Sequence, residues 1–439
     1  MSRNLTYFLL PIVALLFCAC KPKFTKEKEE VSKGEINPTR FVMIGGGHTA
    51  GYMDDALYSE GQENSLANLI SKQLALVGGE QTFSQALVSP NSVGIGLSGS
   101  ARFILGFKTD CKGVEALSPL RISSAGDASI LSVNTYNSMQ KFQNFGIPGL
   151  KLSNISTLNY GSINPFFGRM ASSTTTTVLS DAIASEPTFF SLFLGIEDVL
   201  DFAKSGGTDD NMPTVSAFEN DYTQVVESLL NNGAKGVLAK IPDITKMPYF
   251  TTIPWNGLSL DEENSISLNN FYNQLGYSFQ IGINPFMIVD SSANIFAVRQ
   301  ILENELFLLS LPLDSVKCHK MGTLFPIRDE FVLDLNELQT LRNRIVGYNA
   351  VISSLATQYG LAIVNTDNFF ANLNDGFIYN GVSMSAKFVS GGAYSLDGIH
   401  FNAKGNALLA NEFLKSINQK YNSRIPLLNA NSYDGIYFP

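Results

Sequence analysis

Two residues near the end of the chain, Asp397 and His400, have types and spacing that could carry out chemistry. An imidazole can accept or donate a proton near neutral pH, and a carboxylate can accept its hydrogen bond. A second feature is the glycine-rich turn Gly45–Gly47, which directly follows the apolar run Phe41–Ile44. That pattern predicts a strand that ends in a tight turn. Asp397 and His400 are therefore of chemical interest only if the fold brings other reactive groups to them.

The elements that must position these residues alternate between strand-like and helix-like segments. Strands are predicted at 41–44, 189–194, 236–241, 286–289 and 361–364. Helices are predicted at 65–77, 222–230, 335–359 and 403–421, with Ser65 as a helix N-cap. Such alternation predicts an α/β fold, with a parallel sheet covered on both faces.

The domain is predicted to span residues 39–425, followed by a C-terminal tail at 426–439. Two stretches rich in Ser, Gly and Asn, at about 80–140 and 243–330, predict large insertions into that domain. The alternating segment Arg102–Lys108 predicts β structure in the first insertion.

Four separated segments resemble the characteristic blocks of the SGNH/GDSL hydrolase family. In chain order they are Ile44–Tyr52 (IGGGHTAGY), Asn144–Gly149 (NFGIPG), Gly195–Asp198 (GIED) and Asp397–His400 (DGIH). Their order and their placement at strand ends match the family, over about residues 40–420. The resemblance implies a three-layer α/β/α flavodoxin-like fold, an ester or acyl hydrolase activity, and no cofactor.

The same resemblance implies a damaged catalytic centre. In the family a Ser of the first block attacks the acyl carbon, and Gly and Asn donors stabilise the oxyanion. Here Gly47 stands at the nucleophile position, and Glu197 stands at the position of the Asn. An ionised Glu197 cannot donate a hydrogen bond, although a protonated one could. Gly149, Asp397 and His400 match the family, and we expect the last two to be vestigial.

Other interpretations of the first block stay open. Thr49 is a candidate replacement nucleophile, although it is expected to face elsewhere in the turn. His48, Glu197, Asp397 and His400 are residue types that bind metals, although the family implies no metal there. The segment Gly45–Ala50 also fits the dinucleotide-binding pattern, but it lacks a helix that opens directly on the turn.

The amino terminus has the features of an export signal. Arg3 precedes the apolar run Tyr7–Phe17, which is too short to span a bilayer, and Cys20 follows a small residue. We expect residues 1–19 to be a lipoprotein signal peptide and Cys20 to be lipidated. Cys18 and an unlipidated signal peptide are the alternatives. Residues 20–38 are rich in Lys and Glu, which predicts a flexible tether to the membrane.

Composition narrows the choice of partners. The net charge is −9 and no basic cluster occurs, which argues against nucleic acid as a partner.

His319 lies in the second insertion and is expected to be structural. Cys111 and Cys318 are the cysteines left after signal removal, and they are expected either to pair or to remain two buried thiols.

The expected function is that of an inactive, membrane-anchored binding or scaffold subunit in the bacterial cell envelope, most simply at the outer membrane. The insertions would engage an outer-membrane protein partner. Alternatively, a glycan or acyl ligand would enter the old cleft, where Gly47 leaves room. The competing hypothesis is an active esterase or acyl hydrolase with a rearranged site.

Overall fold

A computed structural model describes residues 30–231 and 233–439 of the chain. The predicted signal peptide at 1–19 and the proposed lipidation site Cys20, with its alternative Cys18, lie outside the described residues. No helix within the described ranges combines the length and the apolar character that crossing a membrane requires.

Five parallel strands form the central sheet. They are β1 (Phe41–Gly45), β2 (Asn144–Gly146), β3 (Phe189–Phe193), β4 (Lys235–Ala239) and β5 (Ala362–Val364). The spatial order is β5-β4-β3-β1-β2, which is the flavodoxin-like order that the resemblance implied. Every residue of β1 and β3 is buried, as expected for strands covered on both faces.

Helices cover both faces of the sheet. Five of them are α1 (Leu66–Ala75), α2 (Ile196–Lys204), α3 (Val215–Leu230), α4 (Leu335–Gln358) and α5 (Ala403–Tyr421). On one face α1 packs against α5, and on the other α4 packs against α2 and α3. The Oγ of Ser65 accepts the backbone N–H of Asn68 at 3.2 Å, which confirms the predicted N-cap of α1. The predicted α/β fold is therefore confirmed.

Two predictions about elements were wrong in detail, and one strand of the sheet was not predicted. The apolar run 286–289 does not belong to the central sheet, because Met287–Val289 pairs antiparallel with Val298–Gln300 inside the second insertion. The helix predicted from Tyr222 begins at Val215, where the Thr214 side chain caps it. Strand β2 was not predicted, because three residues are too few to show a period.

The two stretches predicted to be insertions, called the first and second insertion here, contact each other through the residues around Cys111 and Cys318. The first contains the hairpin Phe103–Thr109 and Glu115–Arg121. The second contains the helices Glu262–Tyr272 and Leu313–Cys318 and small antiparallel sheets. The remaining short helices and strands, with their bounds, are Gly47–Ala50, Ser59–Glu63, Ser129–Ser132, Tyr160–Ile163, Pro165–Gly168, Val178–Ala184, Pro248–Thr251, Leu258–Leu260, Gly282–Asn284, Leu306–Phe307, Val332–Leu333, Thr366–Asp375, Phe377–Tyr379 and Val382–Met384.

A disulfide between Cys111 and Cys318 joins the hairpin to the second insertion, which corrects the alternative of two buried thiols. Two ion pairs flank the disulfide: Lys108 with Asp314 at 2.8 Å, and Lys317 with Asp110 at 3.0 Å.

The predicted boundary between the tether and the domain, at residue 38, lies too far along the chain. Ser32 bridges to Arg424 near the end of α5, Ile36 is buried, and Glu35 pairs with Lys235 at 3.2 Å. The chain therefore already belongs to the domain from about Ser32. Apolar burial at Ile36 and Pro38, which the Lys- and Glu-rich composition did not reveal, holds residues 32–38. Part of the predicted tail is packed too, because Ala430 is fully buried.

Candidate functional site

The four blocks converge at the carboxyl edge of the sheet, where parallel α/β folds place their sites. Gly47 begins the short helix Gly47–Ala50 directly after β1. Glu197 lies in the first turn of α2, after β3, because Gly195 adopts a left-handed φ of 98° that turns the chain into the helix. Asp397 and His400 lie in the loop before α5.

Asp397 and His400 form the predicted pair. Oδ2 of Asp397 lies 3.0 Å from Nδ1 of His400, and its Oδ1 accepts the backbone N–H groups of Ile399 and His400, each at 2.8 Å. The backbone N–H of Asp55 donates to Oδ2 at 3.1 Å. The carboxylate is therefore fully engaged, and the ring is held with Nδ1 toward Asp397 and Nε2 toward Gly47.

The pair shifts the pKa of both partners. Burial by itself would lower the pKa of His400, but the charge and hydrogen bond of Asp397 and the charge of Glu197 outweigh burial and raise it. Burial would raise the pKa of Asp397, but His400 and the two backbone donors lower it well below its usual range. Asp397 and Glu197 therefore stabilise the protonated ring of His400 relative to an isolated buried imidazole.

The space beside Gly47 is filled by His400. A Cβ placed on Gly47 would overlap Nε2 of His400 and would lie 3.0 Å from its Cδ2. Nε2 has no hydrogen-bond partner among the described residues, so no hydroxyl is poised against it. The expectation that Gly47 leaves room for a ligand was therefore wrong, because the imidazole occupies that room. Little space remains at Gly47, and it does not admit a water molecule.

Glu197 closes the site from the other side. Its Oε1 accepts the backbone N–H of Gly47 at 3.0 Å, and a Cβ on Gly46 would lie 2.6 Å from the same oxygen. An oxyanion hole uses backbone N–H groups of this kind to bind a developing negative charge. Here a side-chain carboxylate of the protein already uses the N–H, and Glu197 is itself buried.

The other residues of the first block do not replace the missing hydroxyl. The Thr49 hydroxyl is fully buried and lies against Gly45 of β1. The His48 ring lies 4.8 Å from that of His400, between centroids, and packs edge-on against Phe193 and Phe401. Burial and the neighbouring positive charge of His400 lower the pKa of His48 to about 3. His48 is therefore neutral in this packing.

Gly149 lies on the adjoining loop after β2, with a left-handed φ of 74°. A Cβ there would lie 3.2 Å from Cδ2 of Leu97, so the first insertion packs onto this loop. Its neighbour Leu150 lines the same small space as Gly47 and Glu197. As for metals, no group of three or more His, Cys, Asp or Glu within 30–231 and 233–439 is arranged to hold an ion.

Sequence reasoning missed Asp54 and Asp55, which brace the site. The carboxylate of Asp54 accepts the backbone N–H of Leu396 at 2.9 Å. The backbone N–H of Asp55 donates to the carboxylate of Asp397, and the Asp55 carboxylate pairs with Arg121 of the first insertion at 2.5 Å. Both adopt left-handed backbone conformations, with φ of 54° and 57°. An Asp-Asp dipeptide one residue beyond the first block was the available signal, because Asp tolerates that conformation better than most residues.

A family model described as GDSL-like Lipase/Acylhydrolase matches residues 42–413. A search of curated proteins found no match.

Solved structures of low similarity also match. An α/β hydrolase enzyme, LAE5, from the metagenome of Lake Arreo, Spain, is 11% identical, with 87% of this chain and 96% of that chain covered and a TM-score of 0.37. A lipase/acylhydrolase from Enterococcus faecalis is 12% identical, with 89% and 99% covered and a TM-score of 0.33. An acetyl xylan esterase, AlAXEase, is 16% identical, with 62% and 77% covered and a TM-score of 0.26.

Proposed function

The chain belongs to the GDSL-like lipase/acylhydrolase family, and from that premise we propose that it has lost hydrolytic activity and works by binding. The observation that carries the proposal is the contact between Gly47 and His400. The imidazole that should activate a hydroxyl instead fills the place where the side chain bearing that hydroxyl would stand. Because nucleophile and base act as one unit, the loss of one removes the catalytic value of the other.

Electrostatics supports the same proposal. An ionised Glu197 beside the N–H of Gly47 would repel a developing oxyanion. Two like charges about 4 Å apart repel by about 4 kcal/mol at an effective dielectric of about 20. One oxyanion donor contributes about 2.7–4 kcal/mol, so the repulsion offsets what a donor would supply.

An ester-hydrolysis assay tests this proposal. Purified protein lacking residues 1–30 is incubated with p-nitrophenyl acetate and p-nitrophenyl butyrate, beside a His400→Ala variant. We expect both proteins to release p-nitrophenol at the rate of buffer alone. Turnover by the natural protein that disappears in His400→Ala would contradict the proposal.

The second candidate function is an ester or acyl hydrolase with a rearranged site. The intact bond between Asp397 and His400, at 3.0 Å, is the observation that favours it. It requires His400 to move away from Gly47 and Glu197 to leave the N–H of Gly47. The same assay, extended to acetylated glycans and long-chain esters, decides between the two functions.

We further propose that the chain is a lipoprotein of the outer membrane that presents its insertions to a protein partner. Glu35, close to the start of the described chain, pairs with Lys235 at the amino end of β4. The second insertion leaves β4 at its opposite, carboxyl end. Glu35, which follows the proposed anchor in the chain, and the start of the second insertion therefore lie at opposite ends of β4.

Lipid labelling and co-purification test the anchoring and the partner. Cells that express the full chain are fed an alkyne fatty acid, and the protein is examined for the label. We expect label on the natural chain and on Cys18→Ser, but none on Cys20→Ser. A stoichiometric partner should co-purify from solubilised membranes, and label that survives Cys20→Ser would contradict the anchor.

A further inference from the structure

The second insertion carries an apolar groove away from the site at Gly47. It lies between the carboxyl end of the helix Glu262–Tyr272 and the hairpin formed by Met287–Val289 and Val298–Gln300. Its volume is about 290 Å³, and its apolar lining comprises Phe271, Leu275, Phe296, Val298, Leu324 and Pro326. A concave, mostly apolar lining with few polar groups is typical of a site for a small ligand.

Two phenylalanines that line the groove, one from the helix end and one from the hairpin turn, stay exposed. Phe271 is 61% exposed and Phe296 is 62% exposed, although the buried cluster of Leu268, Tyr272 and Phe279 lies next to them. Leaving two large apolar rings in water is unfavourable, and a shared exposed patch of this kind marks a binding surface.

The wall that bears Phe296 is braced from within. Oδ1 of Asn294 accepts the backbone N–H of Phe296 at 2.9 Å, and its Nδ2 donates to the carbonyl oxygen of Val298 at 2.5 Å. Ala297 adopts a left-handed φ of 55°, which is unfavourable for alanine and is held in place by these bonds. These two bonds fix the backbone that carries Phe296, whereas its ring stays exposed to solvent.

The groove offers almost no polar contact. The hydroxyl of Tyr272 is already used, since it donates to the carbonyl oxygen of Thr323 at 2.7 Å. The exposed amide of Gln274 is the other polar group that lines the groove. No charged residue lines it, and the segment 264–289 contains no Asp, Glu, Lys or Arg. A charged ligand would lose its hydration here without gaining a partner.

We propose that this groove binds the single alkyl chain of a neutral amphiphile, with the uncharged head group at Gln274. Its volume lies at the low end of the range for ligand pockets, about 300–1,000 Å³, so the occupant is a short chain. A protein partner would need about 800 Å² of complementary surface on this side, which a groove of this volume does not supply. The proposal does not depend on inactivity at Gly47.

Fluorescence titration tests the groove on the purified, disulfide-intact protein. The probe is N-phenyl-1-naphthylamine, an uncharged fluorophore that brightens in apolar sites, and 1-decanol, decanoate and maltose are the competitors. We expect saturable binding of the probe, displacement by 1-decanol, weaker displacement by decanoate and none by maltose. Phe271→Ala and Phe296→Ala should each weaken binding about five- to tenfold.

Phe107→Ala is the matched control, because Phe107 is 58% exposed on the strand Phe103–Thr109 and neither it nor its chain neighbours line the groove. It should bind the probe as the natural protein does. The proposal is overturned by a lack of saturable binding, by an equal loss in Phe107→Ala, or by displacement with maltose instead of 1-decanol. Urea unfolding of each variant verifies the fold. Ester turnover is measured separately, so a failure here is distinguishable from a failure of the proposed function.

Discussion

The imidazole of His400 occupies the space that a side chain on Gly47 would need, and no described residue hydrogen-bonds to its Nε2. The carboxylate of Glu197 binds the N–H of Gly47 from another direction. The centre is thus blocked twice, at the position of the nucleophile and at a donor for the oxyanion. The obstruction at Gly47 and the one at its N–H can be removed by separate mutations, so the contribution of each to inactivity can be measured.

Gly47→Ser should destabilise the protein without creating an active serine. The added Cβ overlaps His400, which is buried and tied to Asp397, so the core must shift at a cost of about 1–3 kcal/mol. Urea unfolding measures the loss, and a fluorophosphonate probe reports any activated hydroxyl. Gly435→Ser is the control, because a Cβ there meets nothing closer than 3.9 Å. Unchanged stability together with strong labelling of Ser at position 47 would refute this prediction.

Combining Gly47→Ser with Glu197→Asn should restore more ester hydrolysis than Gly47→Ser alone. Asparagine removes the negative charge beside the N–H of Gly47 and can donate a hydrogen bond. Initial rates with p-nitrophenyl acetate measure the gain, with the double variant further changed at His400→Ala as the baseline. Equal rates in the single and double variants would show that Glu197 does not hinder catalysis.

The natural protein should lose stability relative to His48→Gln as the pH falls from about 6.5 toward 3. The folded state holds the pKa of His48 at about 3, because the ring is buried beside His400 and its positive charge, whereas the unfolded value is near 6.5. The unfolded chain therefore takes up the proton first. Stability from the neutral ring is complete above the unfolded pKa and is lost as the pH falls toward the folded pKa.

The slope of that difference is the measurable quantity. Free energies of unfolding of the two proteins, taken every half pH unit, should diverge by about 1.4 kcal/mol per pH unit below about pH 6. Subtraction cancels shifted buried groups that do not interact with His48, such as Asp54 and Asp198, where burial raises the pKa to about 6 and about 7. Parallel curves would show that His48 is not held neutral.

Removing the disulfide with Cys111→Ser and Cys318→Ser should lower stability by about 2–4 kcal/mol, because the bridge joins segments separated by 207 positions. Unfolding in urea and proteolysis of the hairpin 103–121 measure the effect. Lys317→Ala removes only the neighbouring ion pair with Asp110, whose lysine is half-exposed, and should change stability by less than about 1 kcal/mol. An equal effect of both changes would mean that the bridge adds nothing.

Sequence by itself determined the local elements and the identity of the site residues. Apolar runs located four of the five sheet strands, Ser65 marked a helix start, and the four blocks named Gly47, Gly149, Glu197 and the Asp397–His400 pair. Strand periods and caps depend on residues within one turn or one strand, so they can be read without knowing the fold. The run 286–289 shows the limit, because an apolar strand does not itself state which neighbour it will pair with.

The contacts among the site residues depend on the tertiary structure. Glu197 meets Gly47 across 150 positions, and His400 reaches Gly47 from the far end of the chain. Whether a missing side chain leaves a cavity or is filled depends on packing between distant segments, and close packing favoured filling. The pairing of Cys111 with Cys318 and the groove between Phe271 and Phe296 depend on contacts of the same kind.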